Sequence, residues 1–170
     1  MAILPIRIYP DPVLRVHCRE VVLFDDDLRR LVADLVETVH AAPGIGLAAP
    51  QVGVERRVAV VDLSVGERPE DLLVMINPRL LREDGSDEDE EGCLSLPGIT
   101  DQVRRPLSIL LGATNSEGED FEFEAEGLLA RAICHEIDHL DGVLFPDRLQ
   151  GLRRQRVRRA LRRLEREQES

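Results

Sequence analysis

The chain predicts a globular fold that mixes helices with strands, and three stretches predict it. Leu28, Leu31, Val32, Leu35 and Val39 recur at helical spacing. Phe121-Glu122-Phe123-Glu124-Ala125-Glu126 alternates apolar and acidic residues as a half-buried strand does. A largely apolar segment opening at Gly127 carries His135 and His139 four residues apart. Composition permits such a fold: 170 residues suffice for one domain with its own core, and 43% hydrophobic content with a mean hydropathy of -0.18 suits a soluble protein. No apolar run approaches the ~20 residues that cross a bilayer. Met1-Ala2-Ile3-Leu4-Pro5-Ile6-Arg7 lacks the basic region, apolar stretch and cleavage site of a secretion signal, so a cytoplasmic protein without membrane contact is expected. Three cysteines, Cys18, Cys93 and Cys134, cannot all pair with one another and suggest no disulfide scaffold.

Taken in order, Ile6-Arg7-Ile8 alternates before Pro10-Asp11-Pro12, which predicts a turn anchored by Val13 and Leu14. Asp25, Asp26 and Asp27 supply an N-cap and first-turn negative charge for the first helix, and Pro43-Gly44 ends it. Gly44 to Gly53 reads as a tight loop of small residues, made unusual by Gln51, a long amide that is costly to bury unpaired. Strands are predicted from Arg57 to Leu63, from Leu72 to Ile76 with Asn77-Pro78 closing it, from Val103 to Leu111 and from Phe121 to Glu126. The acidic residues between Glu83 and Glu91 are assigned mostly to a solvated loop. Gly142 ends the histidine-bearing helix, and Leu152 to Glu167 predicts an Arg-rich helix with a narrow stripe of Val157, Ala160, Leu161 and Leu164.

Charge divides the chain. Residues 148–170 hold nine arginines against three glutamates, a net +6, which leaves -17 on the first 147 residues against -11 overall. The tail is expected to rest on the body as a surface helix, with contact to a polyanion as the alternative. The expected organisation is a catalytic unit over 1–147 with 148–170 as a helical extension of the same domain.

The chemistry centres on Cys134-His135-Glu136-Ile137-Asp138-His139. One helical turn puts both imidazoles on one face, which suits a single divalent metal, with the Glu136 carboxylate beside it to handle the protons of an activated water. An ordinary amphipathic helix is the alternative, but burial makes four ionisable groups expensive unless each is coordinated or paired. A catalytic site of this kind wants a third protein ligand. Phe145 stands where one peptidase pattern has a third histidine, and beyond Asp147 no acid follows until Glu165 in the basic tail. Cys134 points about 100° away around the helix. Cys93, in Glu91-Gly92-Cys93-Leu94-Ser95, is the best remaining candidate. A thiolate with two imidazoles admits iron(II), zinc, cobalt or nickel.

Gly44-Ile45-Gly46-Leu47-Ala48-Ala49-Pro50-Gln51, Glu91-Gly92-Cys93-Leu94-Ser95 and His135-Glu136-Ile137-Asp138-His139, in that order and at these separations, resemble the three motifs of the peptide deformylases. The similarity runs from Pro10-Asp11-Pro12-Val13-Leu14-Arg15 through Leu144-Phe145. It implies an α+β fold with antiparallel sheets around the metal-binding helix and a separate C-terminal helix. It also implies removal of the formyl group from N-formylmethionyl nascent peptides by metal-activated water, with ferrous iron as the usual metal and zinc or nickel as substitutes. Carried onto this chain, Cys93, His135 and His139 bind the metal and Glu136 is the general acid and base. Gln51 and the Leu94 N–H hold the oxyanion, and Ile45, Gly46, Leu128 and Ala132 line the methionine pocket. Cys134 stands where the family usually has glutamine, and His40 where it more often has an aromatic or apolar residue. A monomer is expected, with Asp138 pairing to Arg105 or Arg104. An endopeptidase on the same helix, a hydrolase of another small acyl group, and an RNA binder acting through the tail are the rival readings.

Overall fold

A computed structural model describes residues 1–170 as seven strands and three α-helices, with short 3-10 turns between them. The strands are β1 (Gly46–Ala48), β2 (Val58–Val61), β3 (Leu73–Asp84), β4 (Asp87–Gly92), β5 (Thr100–Arg105), β6 (Ser108–Thr114) and β7 (Asp120–Glu126). One antiparallel sheet has the order β1-β2-β3-β6-β7, and β4 pairs with β5 in a second, two-stranded antiparallel sheet. The helices are α1 (Asp26–Ala41), α2 (Gly127–Leu140) and α3 (Gly151–Glu169). The fold is α+β, as expected, with α2 packed against the large sheet and α3 as a separate C-terminal helix.

The core follows from the pattern of each element. Every side chain of β2 is buried: Val58 and Val60 pack with Leu28, Leu35 and Ile76 on the α1 side, and Ala59 and Val61 pack with Met75, Leu111 and Ile133 on the α2 side. A strand buried on both faces reads as a continuous apolar run rather than an alternating one. A third cluster gathers Leu14, Leu96, Val103 and Phe145 with Val157, Leu161 and Leu164 of α3. The Asp25 side chain accepts from Leu28 N at 3.0 Å and caps α1 as expected.

Four expectations need correction. Residues 83–91 are strand rather than loop: β3 runs on to Asp84, the chain turns at Gly85-Ser86, and β4 sets Asp87 and Glu88 opposite Arg105 and Arg104. The Arg105–Glu91 ion pair across the ribbon, with Arg153 on Glu88 and Arg131 on the Asp87 carbonyl, holds a segment that composition alone assigns to solvent. Asn77-Pro78 does not end its strand. Asn77, at φ 51°, begins a register shift in β3, and its amide bonds both the N–H and the carbonyl of Val21. The predicted strand from Val103 to Leu111 is two strands, because Pro106 cannot donate to a ladder and the chain changes sheets there. The loop from Gly44 to Gly53 contains β1 and a 3-10 turn over Ala49–Val52. Pro10-Asp11-Pro12 leads into a further 3-10 turn, Pro12–Arg15, capped by the Asp11 side chain through Val13 N.

Candidate metal centre and catalytic cleft

α2 is buried along its length from Ala130 to Leu140, and it carries the two histidines at the contact between the two sheets. Their rings meet edge to face with centroids 4.8 Å apart. His135 Nε2 lies 3.1 Å from His139 Nε2, and Cys93 Sγ lies 3.3 Å from His139 Nε2. These three donor atoms all lie within 4.8 Å of one another. Donors arranged tetrahedrally ~2.0–2.3 Å from one ion stand roughly 3.3–3.8 Å apart, so the set fits a single divalent cation.

The orientation of each ligand has a cause. His135 Nδ1 donates to Glu91 Oε1 at 2.6 Å, which fixes the tautomer and turns the Nε2 lone pair toward the cluster. Glu91 itself is 7% exposed. Burial alone would raise its pKa, but hydrogen bonds from His135 and Arg105 hold it well below the usual carboxylate range. Arg105 bonds both Glu91 oxygens and also donates to Asp138 Oδ2 at 2.6 Å, while Arg148 closes on Asp138 at 2.7 and 3.1 Å. Asp138 therefore pairs with Arg105, as expected, and with Arg148 in addition. Cys134 points away from the donor cluster into the apolar core with Cys18, Ile133 and Ile137, and burial pushes its thiol up to about 11.

Glu136 stands beside the donors, 4% exposed, with Oε1 bonded to nothing in the protein. Burial raises its pKa to about 7 against the opposing effect of His135. A carboxyl placed there can accept or give a proton near neutrality. Gly46 makes the space: a Cβ on it would lie 2.5 Å from Glu136 Oε2. Gln51, buried in its 3-10 turn, accepts from Ala48 N at 3.0 Å and donates through Nε2 to Ser95 Oγ at 3.1 Å. The amide thereby faces Cys93, with Nε2 3.7 Å from Sγ. The Leu94 N–H donates to no backbone acceptor.

Above this group opens a cleft of about 520 Å³ whose walls include Ile45, Gly46, Leu128 and Ala132 together with Gln51 and Glu136. All four residues expected to line a side-chain pocket thus border one cavity, Leu128 at its rim with 57% of its surface exposed. Reasoning from sequence foresaw Arg105 only as a partner of Asp138 and missed the rest of the support: Glu91, Arg131 and Ser95 complete the polar frame of the site with it. One signal was present, since an arginine inside an apolar helix, as at Arg131, needs buried acceptors.

Two histidines on a buried helix, a converging sulfur and an unpartnered carboxylate at the floor of a cleft are the donor set and acid–base group that a metal-dependent hydrolase uses. The polypeptide deformylase family model matches residues 3–155. Peptide deformylases of Acidobacterium capsulatum and Clostridium botulinum are 48% and 55% identical, over 98% and 87% of this chain and 98% and 97% of their own lengths. The crystal structure of a peptide deformylase from Legionella pneumophila superposes with a TM-score of 0.90 at 41% identity, covering 98% of both chains. The chain belongs to the polypeptide deformylase family.

Proposed function

We propose that the chain removes the formyl group from the N-formylmethionine of newly made polypeptides, releasing formate and a free amine. The observation that carries this reading is the convergence of Cys93 Sγ, His135 Nε2 and His139 Nε2 beside the unpartnered Glu136 Oε1. Those three residues would hold one divalent ion, ferrous iron in the cell, with zinc, nickel or cobalt able to substitute. When bound, the ion supplies Lewis acidity toward water and the formyl oxygen. Glu136 takes the proton of the attacking water and passes it to the departing amine nitrogen. Gln51 Nε2 and the Leu94 N–H donate to the formyl oxygen as it becomes an oxyanion on addition of water to the carbon; losing one such donor costs about 3–4 kcal/mol in activation free energy. Ile45, Gly46, Leu128 and Ala132 receive the methionine side chain.

The chain is proposed to act as a cytoplasmic monomer on nascent peptides, and no helix is long and apolar enough to cross a membrane. The exposed arginines of α3 are proposed to contact the ribosome. The reading is tested by formate release from a formyl-Met dipeptide, using protein loaded anaerobically with iron. Glu136→Gln should keep the metal and the fold while kcat falls by ~10²–10⁴. Undiminished turnover in that variant would remove Glu136 from the chemistry, and no release by folded, loaded wild type would point to another acyl group.

A further inference from the structure

Arg131 lies one helical turn before His135 on α2 and is 5% exposed. Its Nη1 donates to Glu91 Oε2 at 3.0 Å and to Val103 O at 2.7 Å, and its Nη2 donates to Asp87 O at 2.9 Å. One guanidinium therefore ties α2 to both strands of the small sheet. It also holds the carboxylate whose other oxygen accepts from His135 Nδ1. The same residue borders the cleft beside Ala132. Arg105 does not duplicate it: Arg105 reaches Glu91 from β5 and meets α2 only at Asp138, beyond His135, whereas Arg131 reaches Glu91 and both strands from the turn of α2 before His135. Without Arg131, Glu91 keeps Arg105 and the single bond from His135 Nδ1 but loses the second α2 donor, the one on Oε2, and with it the tie from α2 to Val103 and Asp87.

We propose that Arg131 is a positioning residue for the donor cluster: by clamping Glu91 and the β4–β5 pair onto α2, it fixes the angle at which His135 presents Nε2 and the distance from α2 to Cys93, which follows β4 directly. The inference rests on the reading of Cys93, His135 and His139 as ligands to one ion. It extends that reading to a residue that touches neither ion nor substrate.

The test uses metal-free protein. Zinc affinity is measured by competition with a chromophoric chelator, the absorption spectrum is recorded after loading with cobalt(II), and thermal unfolding is followed without metal. Arg131→Met keeps the length of the side chain and removes three hydrogen bonds. It should weaken zinc binding about tenfold, as loss of partners behind a ligand does, and shift the cobalt spectrum. Arg131→Lys retains a donor and should recover part of both. Arg156→Met serves as the comparison, because Arg156 ties the same small sheet to α3 through Asp101 at 2.7 Å without touching Glu91. Its zinc affinity and cobalt spectrum should match wild type. Unchanged affinity and spectrum in Arg131→Met, with only a lowered melting temperature, would overturn the proposal, as would equal losses in Arg156→Met. A wild type that fails to bind one zinc per chain would overturn the ligand assignment itself and the inference with it.

Discussion

Gly46 shows how little tolerance the site has at the scale of one residue. Its missing side chain is the space that the Glu136 carboxylate occupies, and an added Cβ at 2.5 Å from Oε2 would force that carboxylate to move. The backbone at Gly46 is not in the left-handed region, and the three atoms nearest an added Cβ all belong to the Glu136 side chain. Gly46→Ala is therefore expected to leave melting temperature and metal content near wild type while kcat drops ~10²-fold, the scale associated with a misplacement of about 1 Å. Measured kcat, KM and bound metal check this together; full activity would mean that Glu136 can work from a displaced position. At this scale the sequence was informative. Side chains that do chemistry are constrained in type and spacing, so His135, Glu136 and His139 stood out within one helical turn. Glu91 did not, because nothing in a run of seven acids marks which one turns inward; only the pairing of β4 with β5 decides that Glu91 is buried while Glu90 is exposed.

Elements were legible where one period dominated. The first and second helices and the β7 strand were foreseen within a few residues, α1 and β7 because each turns one face to the core and α2 because it is apolar along most of its length. The extension of β3 to Asp84 and the β4–β5 ribbon were not, since their stability comes from partners distant in sequence rather than from their own pattern. Buried acids do similar work between elements. Asp62, 2% exposed at the end of β2, accepts from Ser64 N and Oγ at 3.0 and 2.7 Å and from Gly66 N at 3.0 Å, and pairs with His40 Nε2 of α1 at 2.7 Å. His40 thus has a polar partner of its own. Burial opposes ionisation of Asp62, but the bonds from Ser64, His40 and Gly66 outweigh it and lower its pKa. A carboxyl with a depressed folded-state pKa stabilises fully above its unfolded value of ~3.9, and that contribution disappears as pH falls through the folded value. Asp62→Asn should accordingly cost about 1–3 kcal/mol at pH 7, with the gap to wild type narrowing below about pH 4. Denaturant titrations at pH 7, 5 and 3 measure it. A gap independent of pH would show that the loop is held by shape rather than by the ionised carboxylate.

On the scale of the molecule, the site exists because three separated segments meet: the β1 turn with Gln51, the segment after β4 with Cys93, and α2. Their order and separations carried the family resemblance, whereas the frame of arginines joining them depends on sheet pairing that no local pattern encodes. α3 extends the same logic outward. Val157, Leu161 and Leu164 are buried with Leu96, Val103 and Phe145, and Phe145 lies with its ring 6.5 Å from that of His135, so the tail helix packs on the residue that backs the site. Three tail arginines are committed to the body, Arg148 to Asp138, Arg153 to Glu88 and Arg156 to Asp101. The outer face is different: Arg154, Arg158, Arg159, Arg162, Arg163 and Arg166 are exposed and form no ion pair. The two faces should separate in experiment. Replacing Arg158, Arg162 and Arg166 with Gln should leave melting temperature and formate release unchanged while weakening cosedimentation with ribosomes, a binding that rising salt should also weaken in wild type. Leu161→Ala should do the reverse, losing about 2–3 kcal/mol, or roughly 4–12 °C in melting temperature, within a single unfolding transition if α3 and residues 1–147 fold as one unit. Cosedimentation indifferent to the arginines would remove the outer face from any role with the ribosome, and a separate early transition in Leu161→Ala would make α3 an appendage rather than part of the core.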